Sequence, residues 1–372
     1  MADSKTIRPI AIYLPQFHPV QENDAWWGKG FTEWTNVSKA KPLFKDHYQP
    51  HLPTDLGFYD LRVAETREAQ AALAKEYGIH GFCYYHYWFN GRRILERPFN
   101  EVLSSGKPDF PFCLCWANEN WTRRWDGMDK EVLLEQKYGV EDNIQHMKYL
   151  CSIFKDKRYI RINGKPLFIV YRIELFPDIK RTAEVWRQVA REEGIGEIYL
   201  AFMQNKIKNF VPEELGFDAA ISFEPNFNLS HYTPALKKDL IKFYLNKVFF
   251  KLGKKMPYNF LRYFNYQQLL DKSKNEPKAP YKLFPGITPM WDNSARRKKD
   301  PFIIHNSTPE LYQEWFEDTL KKFEPYSADE NFIFINAWNE WAEGNHLEPD
   351  QRWGRKYLEA TLNALKNTNT IG

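Results

Sequence analysis

Eight short apolar runs, most of them separated by stretches of helical periodicity, limit most strongly what this chain can fold into. They are Pro9 to Leu14, Gly81 to Trp88, Pro111 to Trp116, Pro166 to Tyr171, Ile198 to Met203, Ala219 to Phe223, Leu283 to Met290 and Phe332 to Trp338. Each is rich in Ile, Val, Phe or Tyr and nearly continuous, the pattern of a strand in a parallel sheet covered by helices. Amphipathic periodicity falls at about 61–77, 141–155, 180–193 and 308–323, with weaker stretches near 98–105 and 210–215 and a last one at 354–366. No glycine-rich phosphate fingerprint follows the first run. The pattern therefore predicts a (β/α)8 barrel, an α/β fold, rather than an open doubly wound sheet. One catalytic domain over residues 1–372 is the economical reading. The chain is longer than the usual barrel of about 250 residues, and the surplus is expected in a long loop after strand 1, residues 16–60, and a helical insertion before strand 7, residues 235–278.

Charge separates that insertion from the rest. The whole chain carries 52 Lys plus Arg against 48 Asp plus Glu, a net of +4, which excludes binding to nucleic acid through bulk charge. Residues 235–278 alone hold ten Lys and one Arg against Asp239, Asp271 and Glu276. With Phe243, Tyr244, Val248, Phe249 and Phe250 spaced among lysines, the insertion resembles a basic amphipathic surface helix, read either as a solvated helical excursion or, more sharply, as a surface for peripheral contact with an anionic membrane or an acidic polymer. No run of about 18 apolar residues is present to span a bilayer. The first residues lack the basic and apolar regions of a signal peptide, and the four cysteines read as reduced, buried thiols. The expected location is the cytoplasm, peripheral to the inner membrane at most.

Composition adds 28 Phe, 21 Tyr and 13 Trp, 17% of the chain. Eleven of the tryptophans fall at the C-terminal ends of the runs or in the loops after them, the end of a barrel that builds active sites. Polar side chains interleave with them. Such aromatic platforms suit a sugar, whose C–H faces stack on rings while its hydroxyls take hydrogen bonds. The candidate glycan-binding residues are Tyr13, Gln16, His18, Trp26, Trp34, Tyr85, His86, Trp88, Trp116, Asn118, Glu119, Tyr171, Gln204, Glu224, Trp291, Asp292, Trp338, Asn339 and His346. His18, His86 and His346 are single and widely spaced, and Cys113-x-Cys115 lacks a companion pair, so neither a metal nor a cofactor is expected. The shared surface predicted for Trp26, Trp34, Trp88, Trp116, Trp291 and Trp338 is the direct structural test of this reading.

The chemistry concentrates after the last run, in Trp338-Asn339-Glu340-Trp341-Ala342-Glu343-Gly344. Glu340 and Glu343 lie within reach of one another if this loop turns helically. Glycosidic cleavage needs one group to protonate the leaving oxygen and another to act from the opposite side; two carboxyls about 5 to 5.5 Å apart suit retention. Flanking tryptophans would exclude water and raise the pKa of the acid.

The segment from Asn339 to Gly344, followed by Leu347-Glu348-Pro349, resembles the signature of glycoside hydrolase family 99, the endo-α-mannosidases. Ile12 to His18, Gly30-Phe31-Thr32-Glu33-Trp34 and His47-Tyr48-Gln49-Pro50-His51-Leu52-Pro53 are more similar to the WbsX-type proteins related to that family. Those occur in bacterial surface-polysaccharide loci and have been labelled glycosyltransferases. The resemblance implies a (β/α)8 barrel and no metal. It assigns Glu340 as the base that deprotonates the substrate's 2-hydroxyl to give a 1,2-anhydro sugar, and Glu343 as general acid and then base. Ala342 stands where the mannosidases carry histidine, which bears on substrate identity.

The expected function is therefore a retaining, endo-acting glycoside hydrolase on manno-configured residues such as mannose or rhamnose in bacterial polysaccharide. A glycosyltransferase of O-antigen or capsule synthesis and a non-catalytic glycan-binding protein are the alternatives.

Overall fold

The computed structural model describes residues 6–123, 128–204, 210–225, 262–297 and 301–370, together with Ile241, Tyr244, Leu245, Val248, Phe249 and Leu252. All eight runs form strands of one parallel sheet: β1 (Arg8–Tyr13), β2 (Gly81–His86), β3 (Phe112–Trp116), β4 (Lys165–Val170), β5 (Tyr199–Gln204), β6 (Ala219–Ser222), β7 (Leu283–Phe284 and Gly286–Ile287) and β8 (Phe332–Ile335). They are ordered sequentially, with β1 between β8 and β2. The barrel closes at β7, which Pro285 splits in two. The first half pairs with β6 and the second with β8. Proline has no N–H to give to a ladder, so a break there is expected. Closure also depends on Gly286, where a Cβ would sit 1.8 Å from the Ser222 carbonyl oxygen.

Helices α1 (Ala64–Glu76), α2 (Arg97–Ser105), α3 (Val140–Phe154), α4 (Ile179–Glu192), α5 (Gln267–Asn275), α6 (Pro309–Lys322) and α7 (Lys356–Asn367) follow the strands, with a 3-10 turn at Pro212–Leu215 after β5. The predicted 235–278 insertion needs correction. Its second half is part of the barrel: α5 is the helix that follows β6, and it packs against α6. Arg262–Asn265 pairs with Phe302–His305, which also pairs with Trp291–Asp292, in a three-stranded sheet beside the barrel. The lysines dominate the composition of the segment, but Phe264, Tyr266, Leu269 and Leu270 are buried, and burial of apolar surface decides where the chain goes. Phe243 and Phe250 of the predicted amphipathic helix lie outside the described residues. No helix among the described residues is long and apolar enough to cross a membrane.

Candidate active site

Strand geometry determines which residues reach the open end of the barrel. Successive side chains in a strand point to opposite faces, so at each strand end one residue enters the barrel mouth and its neighbour points out under the helices. Leu14, Tyr85, Tyr171 and Phe223 point in and line a cleft of about 730 Å³. Their neighbours do not. Tyr13 gives its hydroxyl to Gln70 Oε1 of α1 at 2.7 Å. His86 shares a hydrogen bond with His146 of α3 at 2.9 Å, and Trp116 packs against Trp186 of α4. Gln204 and Glu224 line a separate cavity of about 740 Å³ outside the barrel wall, beside α5 and α6.

Of the candidate glycan-binding residues, Gln16, Tyr85, Glu119, Tyr171 and Trp291 line the cleft together with Glu340 and Glu343. Trp26, half-buried, meets the cleft residue Trp121 with ring centroids 5.8 Å apart. Apart from Gln204 and Glu224, the remainder pack behind and around the cleft. Trp34 packs on Phe17, Tyr59 and Trp341 and donates to the Tyr59 carbonyl. Trp88 donates to Asp142 and stacks on His146. Asn118 holds Tyr138 and the Arg172 carbonyl. Asn339 brackets the Leu14 backbone, accepting from its N–H at 2.7 Å and donating to its C=O at 3.0 Å. Asp292 accepts from Gln49 and shares a hydrogen bond with His47. Trp338 is fully buried and packs on Phe82. His18 is buried, which pushes its pKa down to about 4, and His346 is buried against His51. The shared tryptophan surface is thus corrected: of its six members only Trp291 lines the cleft and Trp26 borders it. A Trp whose indole N–H finds a buried acceptor is core material as much as a platform.

The loop after β8 does turn helically. Asn339–Glu340 pairs antiparallel with Asn345–His346, and a 3-10 turn at Trp341–Glu343 connects them. A 3-10 helix has three residues per turn, so positions i and i+3 eclipse, and Glu340 and Glu343 project together. Gly344 ends the turn at φ 54°, where a Cβ would also meet the Asp292 carbonyl oxygen at 2.9 Å. This explains the glycine after the second glutamate. Beneath the turn, Trp341 donates its indole N–H to Glu348 at 2.6 Å and stacks on His346. Glu348 also accepts from Tyr59 and Gln70, so the Leu347-Glu348-Pro349 block anchors the loop.

Two further charged residues, neither a candidate from the sequence, meet the glutamate pair. Arg296, at the end of a 3-10 turn from Asn293 to Ala295, is bonded to Glu343 and lies 3.9 Å from Glu340 and 3.7 Å from Glu33. Glu33 sits on the short helix Glu33–Lys39 with both carboxyl oxygens buried. Burial, opposed by Arg296 and reinforced by Glu343, lifts its pKa to about 7. Glu340 is raised well above the ordinary carboxylate range, first by burial and then by Glu343. Burial works against the charge on Arg296, but the three carboxylates outweigh it and hold the guanidinium protonated. Glu33 had a signal, since it stands in the Gly30 to Trp34 block. Arg296 had none. Tyr87, Asn120, Trp121 and Asn293 also line the cleft.

Similarity to known proteins agrees with this architecture. A 42% identical relative, "Uncharacterized protein WxcX" of Xanthomonas campestris pv. campestris strain B100, matches over 357 residues, 96% of this chain and 49% of its own length. Its counterpart in strain ATCC 33913 is 41% identical over the same span. The chain spans about half the length of these curated relatives. Among solved structures, a glycoside hydrolase-like protein superimposes with a TM-score of 0.59 at 14% identity, covering 98% of this chain and 95% of that one. The GH99 endo-alpha-mannosidase from Bacteroides thetaiotaomicron gives 0.56 at 12% identity over 97% of each. These likenesses establish the barrel. The family model described as Glycosyltransferase WbsX matches residues 9–361, and with the WxcX relatives this places the chain in the WbsX family.

Proposed function

We propose that the cleft is the active site of a glycan-cleaving enzyme that acts with retention, endo-fashion, at manno-configured residues of a bacterial surface polysaccharide. The observation that carries the reading is the grouping of Glu33, Glu340 and Glu343 around the guanidinium of Arg296 at the barrel mouth. Burial and the neighbouring carboxylates raise the proton affinity of Glu33 and Glu340. The site therefore keeps a proton near neutral pH alongside an ionised partner, as acid–base cleavage requires.

Glu340 is the deeper of the motif pair, with 6% of its side chain exposed against 14% for Glu343. Burial raises its proton affinity, making it a stronger base once ionised. In the proposed first step Glu340 takes the 2-hydroxyl proton and O2 attacks C1. The glycosidic C1–O bond breaks, and the leaving oxygen takes the proton of Glu343. Water then attacks C1 and gives a proton to Glu343, while the opening O2 recovers its proton from Glu340. Attack from O2 is easiest where that hydroxyl is axial, as in mannose and rhamnose. Tyr85, Tyr87, Trp121 and Tyr171 offer stacking faces, and Gln16, Glu119 and Asn120 offer hydrogen bonds to hydroxyls. Incubating mannans and O-antigen-type glycans with the protein and with Glu343→Gln tests this. New reducing ends from the parent alone are expected; equal product from both would falsify the assignment of the acid.

A glycosyltransferase is the second reading, favoured by the family's description and by Arg262, Arg296 and Arg297 along the cleft, cations suited to a diphosphate. Isothermal titration with nucleoside diphosphates separates the two: saturable binding supports the transferase, and no heat supports the hydrolase. Ile241, Tyr244, Leu245, Val248 and Leu252 are exposed apolar residues at helical spacing in the lysine-rich segment. We propose that they contact an anionic membrane; equal recovery in the supernatant with and without anionic liposomes at low salt would contradict this.

A further inference from the structure

We propose that His51, His346 and Asp350 form a binding site for one four-coordinate divalent ion of the zinc type, which clamps the loop after β1 to the loop that carries Glu340 and Glu343. His51 comes from the loop after β1, His346 and Asp350 lie four residues apart in the loop after β8, and all three are buried. Their donor atoms lie within 4.8 Å of one another. His51 Nδ1 is 3.0 Å from His346 Nε2, which is 3.7 Å from Asp350 Oδ2. Ligands of a tetrahedral zinc ion at about 2.0 to 2.1 Å lie about 3.3 Å apart, a value these two separations bracket.

The orientation of each ligand suits a metal. His346 Nδ1 is hydrogen-bonded to the Glu348 carbonyl at 2.9 Å. A carbonyl only accepts, so Nδ1 carries the proton and Nε2 presents its lone pair to the cluster, the outer-shell arrangement of a metal-bound histidine. The His346 ring is fixed by stacking on Trp341 and that of His51 by stacking on Tyr48. Asp350 Oδ1 is engaged by the Trp353 N–H at 2.6 Å. Its other oxygen, Oδ2, makes no hydrogen bond of ordinary length, although the residue is 2% exposed and the Tyr48 hydroxyl and His346 Nε2 face it. A buried carboxylate oxygen so loosely satisfied has room for a cation or a water.

Beside His51 is a cavity of about 50 Å³, room for water next to the cluster. Two imidazoles, a carboxylate and one water match the three-protein-ligand zinc pattern. The backbone already joins the same two loops: Gln351 N–H donates to the Leu52 carbonyl, Thr54 N–H to the Pro349 carbonyl, and Pro53 and Asp350 form a bridge. An ion here would fix the His47 to Pro53 block, which the proposed chemistry leaves without a role, against the segment whose ladder pairs His346 with Asn339.

The test uses the full chain, stripped with a chelator, reloaded with zinc and passed through gel filtration, with metal content and melting temperature measured. About one zinc per chain and a melting temperature that rises with free zinc are expected. Asp350→Asn keeps the Oδ1 acceptor and should bind zinc at least tenfold more weakly, with the zinc-dependent rise reduced to match. Cobalt titration of the stripped parent chain gives a second readout that needs no variant: intense visible absorption bands of tetrahedral cobalt should saturate at one equivalent. The site is ruled out if the reloaded chain retains no zinc and melts at the same temperature with zinc and with chelator. Retention of one zinc by both parent and Asp350→Asn with equal affinity overturns it as well.

Discussion

Arg296→Met removes the guanidinium while keeping much of its apolar stem, and the expected loss of stability depends on pH. The side chain contacts Glu343 and lies 3.7 Å from Glu33 and 3.9 Å from Glu340. A charge pair at such a distance is worth about 4 kcal/mol at an effective dielectric constant of about 20. Part of that is repaid because the carboxyls take up protons, so the net cost is set at about 3 to 5 kcal/mol, the range for breaking a buried pair from one side. With an unfolding entropy of about 2.1 cal/mol/K per residue, 372 residues give ~0.8 kcal/mol/K, so the melting temperature should fall by ~4 to 6 °C at pH 8. Glu33 has a folded pKa of about 7 against an ordinary 4.5. Its folded form thus binds more protons in that window, and stability declines as the pH rises through it. Removing Arg296 raises the folded value further and extends the window upward. At pH 5, below the folded Glu33 value, the loss should be clearly smaller. Differential scanning calorimetry of both proteins at pH 5 and pH 8 measures this. An equal loss at the two pH values would show that Arg296 contributes packing and not charge compensation.

Asn339→Leu should cost about 2 to 6 kcal/mol in urea denaturation, because it strands the buried N–H and C=O of Leu14 at about 1 to 3 kcal/mol each. Unchanged stability with lost glycan affinity would instead put Asn339 in the cleft. Trp121→Ala, at the cleft wall, should raise KM and leave the melting temperature nearly unchanged, while Trp116→Ala, fully buried, should cost about 3 to 5 kcal/mol; the reverse pattern would contradict the assignment of faces. Glu33→Gln removes a negative neighbour that helps raise the Glu340 pKa. The acid limb of kcat/KM against pH should therefore move to lower pH, and an unmoved limb would disconnect Glu33 from the pair.

The barrel was legible because all eight strands announce themselves as apolar runs, and Pro285 and Gly286 only divide the seventh. The position of the glutamate pair was legible too, since a helical turn was all that Glu-x-x-Glu required. Strand ends were read without their alternation. Tyr85 was grouped with Tyr13 and His86, although the former enters the cleft and the other two point toward α1 and α3. Fixing one inward residue per strand would have removed Trp116, Gln204 and Glu224 from the candidates. Arg296 carries no such signal, because its role depends on how the three-stranded sheet brings its turn over the barrel mouth. His51 and His346 escaped notice for a related reason: sequence spacing reveals only ligands that are close along the chain, and these meet through folding.

The central claim is that Glu340 and Glu343 together cleave a manno-configured glycosidic bond with retention. Proton NMR of a reducing-end time course on the best substrate from the glycan panel tests it most directly, run with the parent, Glu340→Gln and Glu343→Gln. The account predicts that the first anomer released by the parent has the configuration of the bond cleaved, and that each variant loses at least about 10³-fold in rate. Release of the inverted anomer, or a variant that keeps the parent rate, would contradict it.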